Sequence, residues 1–161
     1  MAEAGVSRPW DPAVPLPKRA VAQGTVRAAS VFVVPQSAVN VRYMVDDVEA
    51  AIAFYTKHFG FTVGSNMAPA FADVVRGPLR ILLSGPKSSA GRPMPDGRQP
   101  GPGGWNRIHF IVDDIESEVA RLRAAGVRFR SDIISGPGGK QIVLDDPSGN
   151  AIELFQPASR R

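Results

Sequence analysis

The chain has 161 residues, 43% hydrophobic and 21% charged, a balance that excludes intrinsic disorder and leaves room for one domain or two small fused modules. The absence of cysteine excludes disulfides, thiolate metal sites and a cysteine nucleophile, and no apolar run is long enough to span a bilayer. The net charge of +4 is carried by scattered arginines, not a basic stripe, so neither nucleic acid nor a membrane is an expected partner.

Residues 1–37 differ from the rest. Pro9, Pro12, Pro15 and Pro17 forbid a long helix. The apolar run 31–34 is too short and too far along the chain for a signal peptide. The stretch reads as a flexible N-terminal arm or a strand laid on a neighbour, with Trp10 as a contact anchor.

A domain over 38–157 follows, with a short tail at 158–161. Its first module, 39–84, opens on a strand with Val39, Val41, Tyr43 and Val45 on one face and Asn40, Arg42 and Met44 on the other. A helix over 48–58 places Val48, Ala51, Ile52 and Tyr55 on one stripe, and Gly60 stops it. Asp46 with Glu49, and Asp113 with Glu116 in the second module, have the spacing of an N-cap and its N3 partner. Three strands are expected at 61–63, 71–75 and 79–84, separated by Pro69 and by Gly77-Pro78.

Residues 85–104 are dense in Gly and Pro and exclude regular structure. They read as a linker, with a lid over a pocket as the other reading.

The second module, 105–157, repeats the first. Ile108-His109-Phe110-Ile111-Val112-Asp113-Asp114 answers Val41-Arg42-Tyr43-Met44-Val45-Asp46-Asp47, and Ile115-Glu116 answers Val48-Glu49. A strand, cap and helix written twice at a constant offset is the signature of an internal duplication. The helix spans 115–125 with Ile115, Val119 and Leu122 as its stripe and Gly126 as its stop. Strands are expected at 127–130, 140–144 and 151–156, around turns at 136–139 and 146–150. Trp105 reads as a core anchor in preference to a rim aromatic. His58 and the arginines 121, 123, 128 and 130 read as solvated surface.

The two Val-Asp-Asp strand ends, the Phe54-Tyr55 helix followed by Gly60-Phe61, and the closing Asp146-Pro147-Ser148-Gly149-Asn150-Ala151-Ile152-Glu153-Leu154 run resemble the vicinal oxygen chelate superfamily. That group holds glyoxalase I, bleomycin-resistance proteins and extradiol dioxygenases. The resemblance implies an α+β fold of two tandem βαβββ modules, whose curved mixed sheets surround a cavity, commonly in a cytoplasmic homodimer. Its metal-dependent members draw ligands from the first and last strands of each module. Carried onto this chain, those positions are Asn40, Leu82, Arg107 and Glu153, of which only Glu153 is a ligand of the family's kind. No cofactor is therefore expected; a divalent metal held in part by Glu153 is the alternative.

Strand alternation supplies an independent reading. If apolar faces meet the helices, the opposite faces collect Asn40, Arg42, Arg80, Arg107, His109, Gln141, Glu153 and Phe155, with Met44, Ile111 and Val143 as apolar walls. Three arginines against one glutamate favour an anionic or carbonyl-bearing small molecule. Glu153 either pairs with Arg107 or Arg42 or meets the ligand, and His109 is either a sheet histidine or a base. Two functions follow: a metal-free small-molecule-binding protein, or a lyase, isomerase or dioxygenase acting on a small carbonyl or aromatic substrate, with His109 and Glu153 as acid/base or partial metal site.

Overall fold

The computed structural model describes residues 39–158, so the expectations for the arm at 1–37 and most of the tail lie outside the described residues. Strand β1 (Val39–Met44) leads into helix α1 (Val48–Phe59), followed by β2 (Thr62–Met67), β3 (Phe71–Arg76) and β4 (Leu79–Ser84). After a 3-10 turn at Ser89–Gly91, the pattern recurs as β5 (Arg107–Ile111), α2 (Ile115–Ala124), β6 (Ile134–Gly136), β7 (Gly139–Asp145) and β8 (Ala151–Pro157). The sheets have orders β1-β4-β3-β2 and β5-β8-β7-β6, each with one parallel pair, β1 with β4 and β5 with β8. This is the α+β arrangement of two βαβββ modules.

The helix stripes pack as their spacing requires. Val48, Ala51 and Tyr55 of α1 and Ile115, Val119 and Leu122 of α2 are buried. They join Tyr43, Val74, Ile81 and Leu83 from the first sheet and Ile142, Leu144, Ile152 and Leu154 from the second in one apolar cluster. Gly60 ends α1 at φ 66°, in the left-handed region that glycine adopts without penalty.

Side-chain bonds stitch the modules together. The Tyr43 hydroxyl accepts from Ile108 N at 3.1 Å and donates to Ala151 O at 2.9 Å. Tyr55 donates to buried Asp146 at 3.1 Å, Asp46 N donates to Ser148 Oγ, and Asn150 Nδ2 donates to Met44 O. Phe59 stacks on Phe110 with centroids 5.2 Å apart. Burial pushes the Tyr43 hydroxyl up to about 12, and raises that of Tyr55 further, helped by the adjacent Asp146 carboxylate. Both stay protonated and able to donate.

Several local expectations need correction. The N-caps are Asp47 and Asp114, one residue later than expected: Asp47 accepts from Glu49 N and Ala50 N, and Asp114 from Ser117 N. The backbone of the second aspartate in each pair is extended, at φ −133° for Asp47 and −136° for Asp114, so its side chain meets the free amides of the first turn. Strand β2 runs on to Met67 through a register shift between Val63 and Asn66. The segment 127–130 makes an isolated bridge, Phe129 to Leu144, flanked by bonds from Arg130 N to Val143 O and from Asp145 N to Arg128 O, while the Arg130 side chain donates to Asp145 Oδ1, Gly104 O and Gly149 O. Ile134–Gly136 pairs with the start of β7, farther along the same edge. Arg130 is thus a clamp, not solvated surface. Trp105 is 74% exposed beneath the Arg130 guanidinium, so it is not a core anchor. Among the described residues no helix is long and apolar enough to cross a membrane.

Candidate functional site

Each sheet has a helix-covered face and an open one. On the open face Met67 is 61% and Ile111 67% exposed, whereas Ile81, Leu83, Ile152 and Leu154 on the covered faces are fully buried. Alternation therefore puts Asn40, Arg42 and Arg80 on the open face of the first sheet, and Arg107, His109, Gln141, Glu153 and Phe155 on that of the second. The predicted site residues fall into two groups, one per sheet.

In the first group Arg80 is not free. Its Nε and Nη2 donate to the two oxygens of Asp73 at 2.8 and 2.9 Å. Asp73, from the neighbouring strand β3, is 1% exposed and also accepts from Ser65 N. Gly64 permits this approach, since a Cβ there would lie 2.3 Å from Asp73 Oδ2. The Arg80 hydrogen bond holds the Asp73 carboxyl below its ordinary value of 3.8. Arg42 is held differently: its Nη1 donates to the hydroxyl of Ser84, a fully buried residue.

In the second group Arg107 Nε donates to Glu153 Oε2, and His109 Nε2 lies 3.7 Å from Glu153 Oε1. The His109 ring packs on Phe155 with centroids 5.0 Å apart. Glu153 is 9% exposed, which its pairing with Arg107 makes tolerable. A cavity of about 390 Å³ between β1 and β5 brings Arg107 and His109 beside Val39, Val41, Tyr43 and Ile108.

In the sheet register Glu153 sits opposite His109, and the same step in the first sheet pairs Leu82 with Arg42. The module-one counterpart of the His109–Glu153 pair is thus Arg42–Leu82. A guanidinium and an isobutyl group offer no metal donor. Among the described residues no group of three or more His, Cys, Asp or Glu could hold a metal ion. The described residues do not fit a catalytic metal centre with three protein ligands.

Sequence reasoning missed Asp73 and its bond to Arg80. The signal was available: Asp73 lies between Ala72 and Val74, both fully buried, so alternation sends its carboxylate to the open face.

None of the curated protein sequences matches the chain. Among solved structures, it is similar to a lactoylglutathione lyase from Agrobacterium tumefaciens at 24% identity and TM-score 0.60, covering 76% of this chain and 95% of that one. It is similar to TnmS3, an antibiotic binding protein from a Streptomyces species, at 25% identity and TM-score 0.57, covering 75% and 95%. A superfamily member from Sphaerobacter thermophilus shares 28% identity at TM-score 0.59, covering 74% and 95%. The family model of the Glyoxalase/Bleomycin resistance protein/Dioxygenase superfamily matches residues 37–154, and the chain belongs to that superfamily.

Proposed function

We propose that the chain is a metal-free small-molecule-binding protein whose ligand is anionic or carbonyl-bearing. The observation that carries this is the exchange between modules: where module two sets His109 opposite Glu153, module one sets Arg42 opposite Leu82. A fixed positive charge stands where a donor would be needed, and a guanidinium recognises carboxylates and polarised carbonyls by itself. The similarity to TnmS3, an antibiotic binding protein, supports the same reading. The exposed Met67 and Ile111 on the open faces favour a homodimer in which a second copy shields them.

Elemental analysis with native mass spectrometry tests the metal-free claim. The expected result is no stoichiometric Zn, Ni, Fe or Mn. About one metal per chain, lost on Glu153→Ala, overturns it.

A second reading draws on the 3.7 Å approach of His109 to Glu153, a geometry available for proton transfer on a bound carbonyl substrate. Turnover of a small carbonyl or aromatic compound that vanishes in both His109→Gln and Glu153→Gln, with binding retained, would establish it.

A further inference from the structure

Of the three arginines on the open faces of the strands, Arg80 is engaged by Asp73 and Arg107 by Glu153, and at the margin Arg130 is engaged by Asp145. Arg42 is the exception. Among the described residues its one hydrogen bond runs from Nη1 to a neutral hydroxyl. Tethering Nη1 fixes the guanidinium plane and, among the described residues, leaves the Nε–Nη2 edge without a protein acceptor. That is the edge with which Arg80 grips both oxygens of Asp73. The open face of the first sheet thus carries, among the described residues, one completed arginine–carboxylate fork and one whose acid is missing.

We infer that the Nε–Nη2 edge of Arg42 anchors a single carboxylate of a small ligand lying on the open face of the first sheet, and that Arg80 and Arg107 do not touch that group. The inference rests on the small-molecule-binding reading above and narrows it. One unmatched positive charge matches one negative charge; a second would be desolvated with no counterion. Beside Arg42 lies Leu82, its cross-strand partner, and beside Ser84 lies Phe71, both half-buried on the same face. They offer apolar contact to a flat ring, and the planar guanidinium suits a carboxylate in that ring's plane. The ligand class is an aryl monocarboxylate.

Calorimetry on the full chain with 2-naphthoate, its neutral isostere 2-naphthamide and 2-naphthyl phosphate tests this. The phosphate is a dianion at mildly alkaline pH, its second ionisation lying at about 6. Naphthoate is expected to bind about tenfold or more tightly than the amide, the range of a charge-assisted hydrogen bond. The phosphate should gain nothing over the carboxylate. Arg42→Gln should bring the acid down to the amide, and Arg42→Lys, with charge but no fork, should restore only part. The double variant Arg80→Gln with Asp73→Asn removes a matched pair and should keep the preference. An acid preference that survives Arg42→Gln, or is lost in Arg107→Gln instead, overturns the assignment while the anionic-ligand reading stands. Tighter binding of the phosphate overturns the single-charge count. A wild-type chain that does not distinguish acid from amide overturns both.

Discussion

The two modules repeat one strand–cap–helix pattern yet use it unequally. In module one, α1 buries Val48, Ala51, Phe54, Tyr55 and Phe59, and its aromatic end reaches across to Phe110. In module two, α2 buries only Ile115, Val119 and Leu122. The open faces differ in the opposite sense. Module one encloses a buried carboxylate under Arg80 and leaves Arg42 over, while module two closes Arg107, His109 and Glu153 into one cluster. The covered faces share a frame because a single core constrains both; the open faces carry no such constraint, and there the modules diverge.

The largest effect expected from disturbing this contrast is at Arg80. Arg80→Leu leaves Asp73 buried and unpaired, at a cost of about 3 kcal/mol. The pH dependence gives the sign. Asp73 is held below 3.8 in the folded chain, so its stabilisation is present above that value and lost as pH falls through the lower folded value. In Arg80→Leu the buried acid instead gains from protonation. Urea melts of variant and wild type should therefore converge as pH is lowered through the carboxylate range. A deficit independent of pH would show that Asp73 is not the group left stranded.

The seam comes next. Tyr43→Phe strands Ile108 N and Ala151 O together and should cost about 2 kcal/mol. Tyr55→Phe should cost about half of that, since Asp146 keeps Ser148 N, Asn150 N and Asn150 Nδ2 as donors. Equal losses in thermal melts would contradict this ranking.

Helix caps distinguish adjacent aspartates in both modules. Asp47→Ala and Asp114→Ala should each cost about 1 kcal/mol, whereas Asp46→Ala should stay within about 0.5 kcal/mol. The smallest effect is at Trp105, where Trp105→Ala removes an exposed cation–π contact of about 0.5 kcal/mol. A loss several times larger would restore it as a core residue.

The frame was legible in the sequence because alternation and helical spacing report directly on burial. The Val39, Val41 and Tyr43 parity, the α2 stripe and the Gly60 stop each follow from one local rule. What was not legible depends on partners. The paired aspartates offer two equivalent caps, and only the path of the chain selects between them. That Arg80 meets Asp73 depends on the β3–β4 register, and the approach of Ser65 depends on the bulge in β2. Trp105 looked apolar enough for the core, but Arg130 holds it at the surface. At the site, alternation identified the right face, while the distinction between neutralised and unneutralised arginines needed the acids on neighbouring strands.

The turn between β7 and β8 has a consequence for how the chain is made. Ser148, Asn150 and Asp146 supply the partners of Asp46 N, Met44 O and Tyr55, and Ala151 O receives Tyr43, through bonds joining residues 91 to 108 positions apart. A ribosome extends a chain at about 5–20 residues per second, so these partners emerge on the order of ten seconds after module one. Through that interval module one lacks the partners of its seam. Its seam closes only when the final hairpin arrives, so folding of the first half is tied to synthesis of the β7–β8 turn.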